Sequence, residues 1–371
     1  MGYRNPFKGN TLTRGDYCIL IDVKTKNKIK LDYTIISNLE INYMKHFRIT
    51  GVLSINDMYD VLNKFDVNSN IQVEIYQFDA MENKSKRCFQ VTNVQKNRIN
   101  TRTRVDFELQ DYISYALDNI FVAKTFKNVK ISDIFRELIG TISPSIPTKF
   151  DIDETTIVRE FASLTANQSA LDFILEEAYK EGFYLFQDKD TIYLKDCNGL
   201  LKFDKNKYIY TDRAKEPRYH YTIYEYNKLD LPANKLEDSN ISLSYDPSNK
   251  TMKIYEQNLK DIGIKKDPEN RQRTIAVKYK TQEILSDSGV ALKTLLSFLK
   301  ENCIYAVIPG ELKSTGLFRK FEVKITGNAY VQQENLGTDD KLSGDYICLG
   351  YIDKLLYNTY YISYVLLGKL N

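Results

Sequence analysis

The C-terminal end of this chain contains two apolar runs, residues 343–356 and 360–370, which are rich in Tyr, Ile and Leu and are separated by a short polar break. This pattern predicts a β-hairpin. Apolar residues fall on both sides of its first strand: Tyr346, Cys348 and Ile352 on one side, and Ile347, Leu349 and Tyr351 on the other. A hairpin with one face in water would alternate apolar and polar residues. Both faces therefore need cover, from a helix, a second domain or another subunit, and a component of an assembly is one interpretation.

The length and charge of the chain bear on its domain organisation and on the kinds of partner it can have. A chain of 371 residues can form two or three domains with their own cores, without disulfide or metal staples. It has 52 Lys and Arg against 49 Asp and Glu, so its net charge of +3 does not indicate a nucleic-acid or anionic-membrane partner. Two basic clusters, 24–30 and 84–87, lie between apolar runs and are interpreted as solvated turns.

Cysteine usage and hydropathy indicate a protein made soluble in the cytoplasm. The N-terminus has no apolar run of the kind found in a secretory signal, and no window reaches the roughly eighteen apolar residues of a membrane span. The cysteines show no C-x-x-C pair, which is typical of small, mostly buried thiols in a reducing compartment. They are Cys18, Cys88, Cys197, Cys303 and Cys348.

The first region, residues 1–117, is predicted to be a small β-barrel or sandwich. Its short apolar runs are bounded by turn residues, and several alternate with period two. A short helix is expected at 57–65, capped by Asn56 or Asp57, because apolar residues recur there at helical spacing. The six predicted strands are 16–23, 34–42, 47–56, 71–78, 88–96 and 102–110.

The second region, residues 118–205, is predicted to be an α+β unit set between two β regions. A helix is expected at 129–139, with Ser132 as its cap and Gly140 as its stop, and a linker at 143–147.

A second helix in this unit is expected to open at Asn167 or Ser169 and to end at Gly182. A hairpin with a charged turn should follow, with strands at 183–186 and 191–194.

The third region, residues 206–371, returns to β structure and is predicted to be a second barrel. It includes a polar excursion and a helix at about 233–301. Within this excursion we expect short strands at 241–245 and 252–255 and a helix at 288–301. Further strands are expected at 218–227, 305–308 and 321–326.

The sequence offers little for catalysis, and we expect no cofactor, no metal site and no enzymatic activity. His46 and His220 are the two histidines, each beside aromatics in a predicted strand, where a structural role is more common. The glycine-rich phosphate-binding and nucleophile-elbow motifs are absent. Two carboxylate pairs, Asp339–Asp340 and Glu176–Glu177, could serve a cell-wall hydrolase, but we interpret them as a polar loop and a solvated helix face.

A row of tyrosines could stack on bases or sugars, as in a carbohydrate-binding module. Because no concentration of basic residues accompanies the row, we interpret it as a packed or subunit-facing surface. The row consists of Tyr219, Tyr221, Tyr224 and Tyr226.

Three stretches together resemble one family, the central hub proteins of phage tail baseplates, which include the late control protein D group and the N-terminal hub of type VI spike proteins. In 126–135 an aromatic residue and Asn precede a helix that begins near Asp, and 171–186 is similar to the family's unit of helix, Glu-Gly and aromatic strand. The third stretch, 343–347, matches the family's closing strand of small residue, Gly, any residue and Tyr. The order and spacing of these stretches extend the resemblance over about 16–370.

The resemblance implies a virion protein of the tail, made in the host cytoplasm, with two tube-like β-barrels flanking the inserted α+β unit. It also implies a homotrimer that sets six barrels in a pseudo-sixfold ring. Such a ring joins the hexameric tail tube to the trimeric central spike or tip and continues the lumen for genome ejection. Its expected contacts are tail tube protein, spike or tip protein, tape measure protein and baseplate wedge proteins, with no specific nucleic acid and no stable membrane association.

The sequence ends at Asn371 without the further domains of the spike proteins, so we expect a stand-alone hub. The alternatives are a receptor-contacting distal tail protein of a non-contractile phage and a cell-wall hydrolase. The residues expected to matter for structure and assembly are Gly182, Gly344, Tyr346, Tyr221 and Tyr224.

Overall fold

The chain is mainly β, with a helix-containing insertion, as the sequence predicts. The computed structural model describes the chain in segments, and element counts below refer to these. The described residues are 17–32, 35–57, 70–78, 84–99, 102–202, 208–211, 220–223, 225–228, 239–246, 251–258, 286–309, 316–325, 342–356 and 360–370.

Seven described strands form the first region, and all six predicted strands are among them. The additional strand is β2, which falls in the predicted basic turn at 24–30. The predicted helix at 57–65 lies outside the described residues, apart from Asp57. The strands are β1 (Tyr17–Asp22), β2 (Lys28–Asp32), β3 (Ile36–Asn42), β4 (Thr50–Asn56), β5 (Ile71–Phe78), β6 (Lys84–Ile99) and β7 (Arg102–Asp111).

The inserted unit alternates helices and short strands. Both predicted helices and the predicted hairpin are present, and Ser169 caps the second helix by accepting a hydrogen bond from the backbone N–H of Asp172. The elements are α1 (Tyr112–Asp118), β8 (Lys124–Val129), α2 (Ile131–Gly140), β9 (Lys149–Ile152), β10 (Arg159–Leu164), α3 (Ala170–Lys180), β11 (Phe183–Asp188), β12 (Thr191–Asp196) and α4 (Cys197–Lys202).

The last region contains short strands, one long helix and the predicted closing hairpin. The strands predicted in the polar excursion are present and pair as a separate two-stranded sheet. The elements are β13 (Tyr208–Thr211), β14 (His220–Thr222), β15 (Glu225–Lys228), β16 (Ser239–Asp246), β17 (Thr251–Asn258), α5 (Asp287–Glu301), β18 (Cys303–Pro309), β19 (Lys320–Lys324), β20 (Gly344–Leu356) and β21 (Tyr360–Lys369).

One sheet of fourteen described strands runs through both β regions. Its main path is β14-β13-β19-β20-β3-β4-β7-β6-β5-β1-β2, and β21, β18 and β15 branch from β20. Strands β3 and β20 join the two regions, with Ile352, Asp353 and Lys354 opposite Asn42, Ile41 and Glu40. The first and last parts of the chain are therefore hydrogen-bonded side by side, although more than 250 residues separate them in sequence.

Two separate clusters of buried side chains form the core. The larger one fills the sheet and includes α5 residues such as Leu292 and Leu299. The smaller one belongs to the inserted unit and draws on α1, α2, α3 and the β8–β10 and β11–β12 pairs, with Phe47 of the first region completing it. The predicted boundaries at 117 and 205 are near the ends of this second cluster, and they stay a prediction.

The closing hairpin is covered on both faces from within the chain. Residues 346–351 are all buried. Gly368 of β21 lies against α5, so closely that an added Cβ would be 2.9 Å from the carbonyl oxygen of Leu299. The ring of Tyr351 stacks on Tyr43, with centroids 4.1 Å apart. Of the alternatives left open by the sequence, a helix and a neighbouring region of the same chain provide this cover.

The structure corrects the interpretation of the basic cluster at 84–87 as a solvated turn. This segment begins β6, where Lys86 is exposed while Ser85 and Arg87 are buried. Alternation along a strand sends neighbouring side chains to opposite faces, so one cation of the cluster enters the core.

Three further expectations differ from the structure. The strand predicted at 218–227 is divided into β14, which pairs with β13, and β15, which pairs with β18. His46 lies in a turn between β3 and β4, not in a strand, with a φ of 55°. Ser132 does not cap α2, whose N-cap is Lys130, and pairs instead with Thr155.

Candidate functional site

The inserted unit meets the last region where the C-terminal end of α3 touches the N-terminal end of α5. The backbone N–H and the hydroxyl of Ser286 both donate to the carbonyl oxygen of Lys180, each at 2.9 Å. Gly182 has a φ of +86°, and a Cβ there would lie 2.6 Å from the carbonyl oxygen of Ser288. Only glycine allows both this backbone conformation and this approach. Gly182 is therefore a joint between two regions as well as the end of a helix.

Tyr346 and Gly344 begin the first strand of the closing hairpin. Tyr346 is 1% exposed, and its hydroxyl donates to the carbonyl oxygen of Leu342 at 2.7 Å. Gly344 has a φ of 143° and pairs with Val323 of β19. Tyr346 is thus part of the core of a single chain, and a direct role for either residue in assembly stays a prediction.

The other candidates from the sequence are less well defined by the structure. Tyr221 and Tyr226 lie in β14 and β15, in strands with different partners, so they do not follow one continuous strand. Tyr224 lies outside the described residues, as do Tyr219 and the Asp339–Asp340 pair.

A buried ion pair of the first region is hydrogen-bonded to the inserted unit. Arg87 of β6 donates to the carboxylate of Asp111 at 2.7 Å, and both side chains are less than 5% exposed. The same carboxylate accepts from the side-chain amide of Gln187 of β11 at 2.9 Å and caps α1 through the N–H groups of Ile113 and Ser114. Four elements therefore depend on one carboxylate, and because the pair is buried, removing either partner would leave an uncompensated charge.

Two tyrosines continue this polar cluster towards the closing hairpin. Tyr43 stacks on Tyr351, and the guanidinium of Arg87 lies 5.3 Å from the Tyr43 ring centroid. The hydroxyl of Tyr351 donates to Asp188 of β11 at 2.5 Å. Burial, reinforced by the neighbouring Asp188 carboxylate, raises the pKa of Tyr351 well above its ordinary value. The phenol therefore stays protonated and donates across the junction of the three regions.

Asp353 places a further carboxyl group near this cluster. It lies in β20 opposite Ser363 of β21, whose hydroxyl donates to it. Burial raises the pKa of Asp353 to about 6, the Asp188 carboxylate adds to the shift, and the hydrogen bond from Ser363 and the charge of Lys189 oppose it. The closing hairpin thus carries a carboxyl group whose pKa is raised to about 6.

His46 is held in the same area as a neutral side chain. Its ring nitrogens contact the hydroxyl of Tyr184 and the carbonyl oxygen of Leu349. Since a carbonyl only accepts, Nε2 donates to Leu349 and Nδ1 accepts from Tyr184. Burial lowers the pKa of His46 to about 4. These contacts tie the turn between β3 and β4 to β11 and β20, which favours the structural interpretation of this histidine.

Arg48 provides a more exposed link between the first region and the inserted unit. Its guanidinium pairs with Asp118 at the end of α1, at 2.7 Å, and with Asp172 in the first turn of α3, at 2.6 Å. Nε of Arg48 also donates to Asp118, so this contact is bidentate. Arg48 thus adds to the connections between the inserted unit and the β regions that are made at Gly182, at His46, by Gln187 with Asp111 and by Tyr351 with Asp188.

The Glu176–Glu177 pair is engaged in ion pairs and does not have the setting of a glycosidase acid. Lys180 lies 2.7 Å from Glu176 and 2.9 Å from Glu177, and Arg159 also pairs with Glu177. Burial alone would raise the pKa of Glu177, but the hydrogen bonds from Lys180 and Arg159 outweigh it and hold that pKa below its usual range. A general acid needs the opposite shift.

Large apolar side chains are exposed in the inserted unit. The most exposed is Val158, at 58%, followed by Phe161 at 57% and Phe121 at 55%. Every large apolar side chain found exposed within the described ranges belongs to residues 121–161 of this unit. They are Phe121, Val122, Phe150, Ile157, Val158 and Phe161.

Four residues of this cluster were not evident from the sequence: Arg87, Tyr43, Asp188 and Asp353. Asp353 had a usable signal, because a charged residue in a strand that is apolar on both faces must find a partner or titrate. Arg87 had a weaker signal, the alternation of Ser85, Lys86 and Arg87. The cysteines agree with the expectation of mostly buried thiols, with Cys197 half-buried and the other four buried.

Within the part of the chain that the structure describes, no helix is both long enough and apolar enough to cross a membrane.

No family-level sequence pattern matches the chain, and no curated protein sequence matches it. Solved structures do share its fold. The 43 kDa tail protein of prophage MuSo2 from Shewanella oneidensis superimposes with a TM-score of 0.62 at 8% identity, covering 95% of this chain and 98% of that one. The tail protein from Neisseria meningitidis MC58 gives a TM-score of 0.59 at 11% identity, covering 96% and 97%.

A chain of the Francisella PdpA–VgrG complex gives a TM-score of 0.54 at 13% identity. That alignment covers 99% of this chain and 54% of the other, so the present chain spans about half the length of that neighbour. At these identities the likeness establishes the fold, and at that level it agrees with the resemblance found in the sequence.

Proposed function

We propose that this chain, which has the fold of phage tail proteins, is a structural subunit of the tail baseplate hub and not an enzyme. In this proposal three copies form a ring with pseudo-sixfold symmetry, and each copy supplies two β regions. The ring joins the hexameric tail tube to the trimeric central spike or tip and continues the lumen through which the genome leaves. The protein is accordingly a virion component that is made in the host cytoplasm.

The observation that supports this proposal most directly is the pairing of β3 with β20. It places the first and last parts of the chain side by side in one sheet. A subunit that presents two β regions side by side occupies two positions around an axis, so three subunits occupy six. A trimer built in this way can match sixfold symmetry on one side and threefold symmetry on the other.

The connections between the regions support a mechanical role. The hydrogen bond from Gln187 to Asp111, the Tyr351–Asp188 hydrogen bond and the Gly182 joint hold the inserted unit against both β regions. A hub that transmits load between tube and spike needs fixed relations among its parts, and these contacts are buried and specific. The expected contacts with tail tube, spike or tip, tape measure and wedge proteins belong to this proposal.

Electron microscopy of the purified full-length chain tests the proposal. We expect ring-shaped particles with threefold symmetry, six β lobes and an open axis. Particles of a single copy, or rings of another symmetry, would contradict the symmetry-adapting role. The control is the Tyr346→Asp variant, which should give no rings because it alters the core of each subunit.

A further inference from the structure

The two basic clusters of the sequence lie on one surface of the first region. The cluster at 24–30 forms the link between β1 and β2 and the start of β2, which is an end strand of the large sheet. The cluster at 84–87 begins β6. We call the exposed lysines of the two clusters the lysine face. They are Lys24, Lys26, Lys28, Lys30 and Lys86.

Strand pairing places the lysines of β2 and β6 on the same side of the sheet. Tyr17 of β1 is opposite Tyr76 of β5, and Tyr76 is opposite Lys86. The two tyrosine rings stack with centroids 4.5 Å apart, and the ammonium of Lys30 lies 4.2 Å from the Tyr17 ring centroid. Lys28 precedes Lys30 by two residues and points to the same side. A row of cation, two aromatic rings and cation therefore crosses neighbouring strands.

No carboxylate in the described part of the chain pairs with the lysine face. Asp22 and Glu74 are near it, but both are 4% exposed and accept hydrogen bonds from the backbone N–H of Lys24 and from the hydroxyl of Tyr76. Lysines in other described segments do pair with carboxylates. These are Lys124, Lys130, Lys149, Lys180, Lys195, Lys324 and Lys354. The lysine face is therefore a local excess of positive charge on a chain whose net charge is only +3.

The composition of the lysine face distinguishes among anionic partners. Protein interfaces are enriched in Arg and depleted of Lys, whereas Arg87, the arginine of these clusters, is buried. Stable membrane binding needs an apolar group besides a basic patch, and the exposed large apolar side chains of the described residues all lie in 121–161. A phosphate backbone requires neither, because lysines neutralise its charges as point charges without a fixed geometry.

We infer that the lysine face binds the sugar–phosphate backbone of double-stranded DNA without reading its sequence. The Tyr17 ring contacts Tyr76 and Lys30, so it is not free to stack on the bases of a single strand. Double-stranded DNA presents one charge per about 1.7 Å of helix axis, a dense row of phosphates for a row of lysines. This binding activity is separate from the proposed structural role and does not depend on the trimer.

Fluorescence anisotropy of a labelled DNA duplex of about 20 base pairs tests the inference on the full-length chain. We expect micromolar binding at 50 mM salt, equal within about twofold for two unrelated sequences. The affinity should fall about a hundredfold at 200 mM salt, because roughly four phosphates are neutralised. An absence of binding at 50 mM salt would overturn the inference, as would binding that depends strongly on the sequence.

Charge reversal locates the contact. Lys28→Glu with Lys30→Glu should weaken DNA binding at least tenfold and make its salt dependence shallower. The matched control, Lys124→Glu with Lys127→Glu, changes the net charge equally at exposed positions of β8 and should change binding less than threefold. Equal losses in the two variants would show that binding follows net charge, and the lysine face would not be the site.

A milder pair of substitutions covers a failure of the first variant to fold. Lys24→Gln with Lys86→Gln removes two exposed charges and introduces none. It should weaken DNA binding at least threefold, with the thermal unfolding midpoint within a few degrees of wild type. Unchanged binding in this folded variant would also contradict the inference.

Other anions identify the chemistry of the partner. DNA should bind at least tenfold more tightly than poly-glutamate at equal charge concentration, or than vesicles of phosphatidylcholine and phosphatidylserine. Equal binding of poly-glutamate would assign the lysine face to an acidic protein surface, and preferential binding of the vesicles would assign it to a membrane. Either result would overturn the inference. A chain that forms threefold rings and binds no DNA would leave the proposed hub intact, whereas a DNA-binding monomer would overturn the hub alone.

Discussion

The fourteen-stranded sheet and the inserted unit differ in how much of their apolar surface is exposed to solvent. The sheet buries both faces of its closing hairpin against α5, Tyr43 and neighbouring strands of the same chain. The inserted unit has a separate core, to which Phe47 of the first region contributes, and still leaves Phe121, Val158 and Phe161 more than half exposed. The sheet therefore hides its apolar surface within one chain, whereas the inserted unit leaves part of its apolar surface exposed.

A charge placed inside the sheet is expected to have the largest effect on stability. Tyr346→Asp should destabilise the chain by about 5 kcal/mol or more, because an unpaired carboxylate would be buried where the side chain is 1% exposed. We expect loss of soluble, folded protein, as measured by circular dichroism. Tyr346→Phe is the control and should cost only about 1 kcal/mol, since it removes the single hydrogen bond to Leu342. A folded, stable Tyr346→Asp protein would show that Tyr346 is not part of the core.

The buried ion pair should give the next largest effect. Arg87→Met leaves the Asp111 carboxylate without its cation and should cost about 3 to 5 kcal/mol in the free energy of unfolding. Denaturant titration measures this cost. The double variant Arg87→Met, Asp111→Asn should recover part of it, because no charge is then left unpaired. Equal losses in the single and double variants would show that the pair is not coupled.

The close contact of α3 with α5 at Gly182 is tested by comparing substitutions of two glycines. Gly182→Ala should cost about 2 to 4 kcal/mol, from a left-handed backbone and a clash with Ser288. Gly140→Ala should instead stabilise the chain by about 0.5 to 1 kcal/mol, since Gly140 ends α2 and nothing lies within 4 Å of its added Cβ. Equal changes in the two thermal midpoints would argue against a tight joint at Gly182.

The smallest effect concerns pH and the carboxyl of Asp353. Its pKa is raised to about 6 in the folded chain, so the unfolded chain loses this proton more readily and ionisation disfavours the folded state. Asp353→Asn should therefore be more stable than wild type above pH 6, by about 1 to 3 kcal/mol. The difference should vanish below about pH 4, where the carboxyl is protonated in both states. A difference that does not depend on pH would exclude this titration. His46 is present in both proteins, so the comparison isolates Asp353.

Local features of the chain were predictable from its sequence. The hairpin at 343–370, the helix capped by Ser169 and the glycine after that helix each carry their signal within a few residues. Several of the six strands predicted in the first region alternate clearly, and the general fold followed from them together with the resemblance to hub proteins.

Features that depend on distant partners were not predictable. The burial of Arg87 depends on Asp111, which lies 24 residues away, and the cover of the closing hairpin depends on the turn at 43–48. Strands β8, β9 and β10 are four to six residues long and lack clear alternation, so their pairing emerges only from the core they share. The break between β14 and β15 has the same origin, because each half pairs with a different strand.

The measurement that tests the central claim most directly is the mass of the purified full-length chain in solution at micromolar concentration. If three copies form the proposed ring, the mass should be three times that of the 43.2 kDa chain. A single species of 43.2 kDa at that concentration would contradict the account.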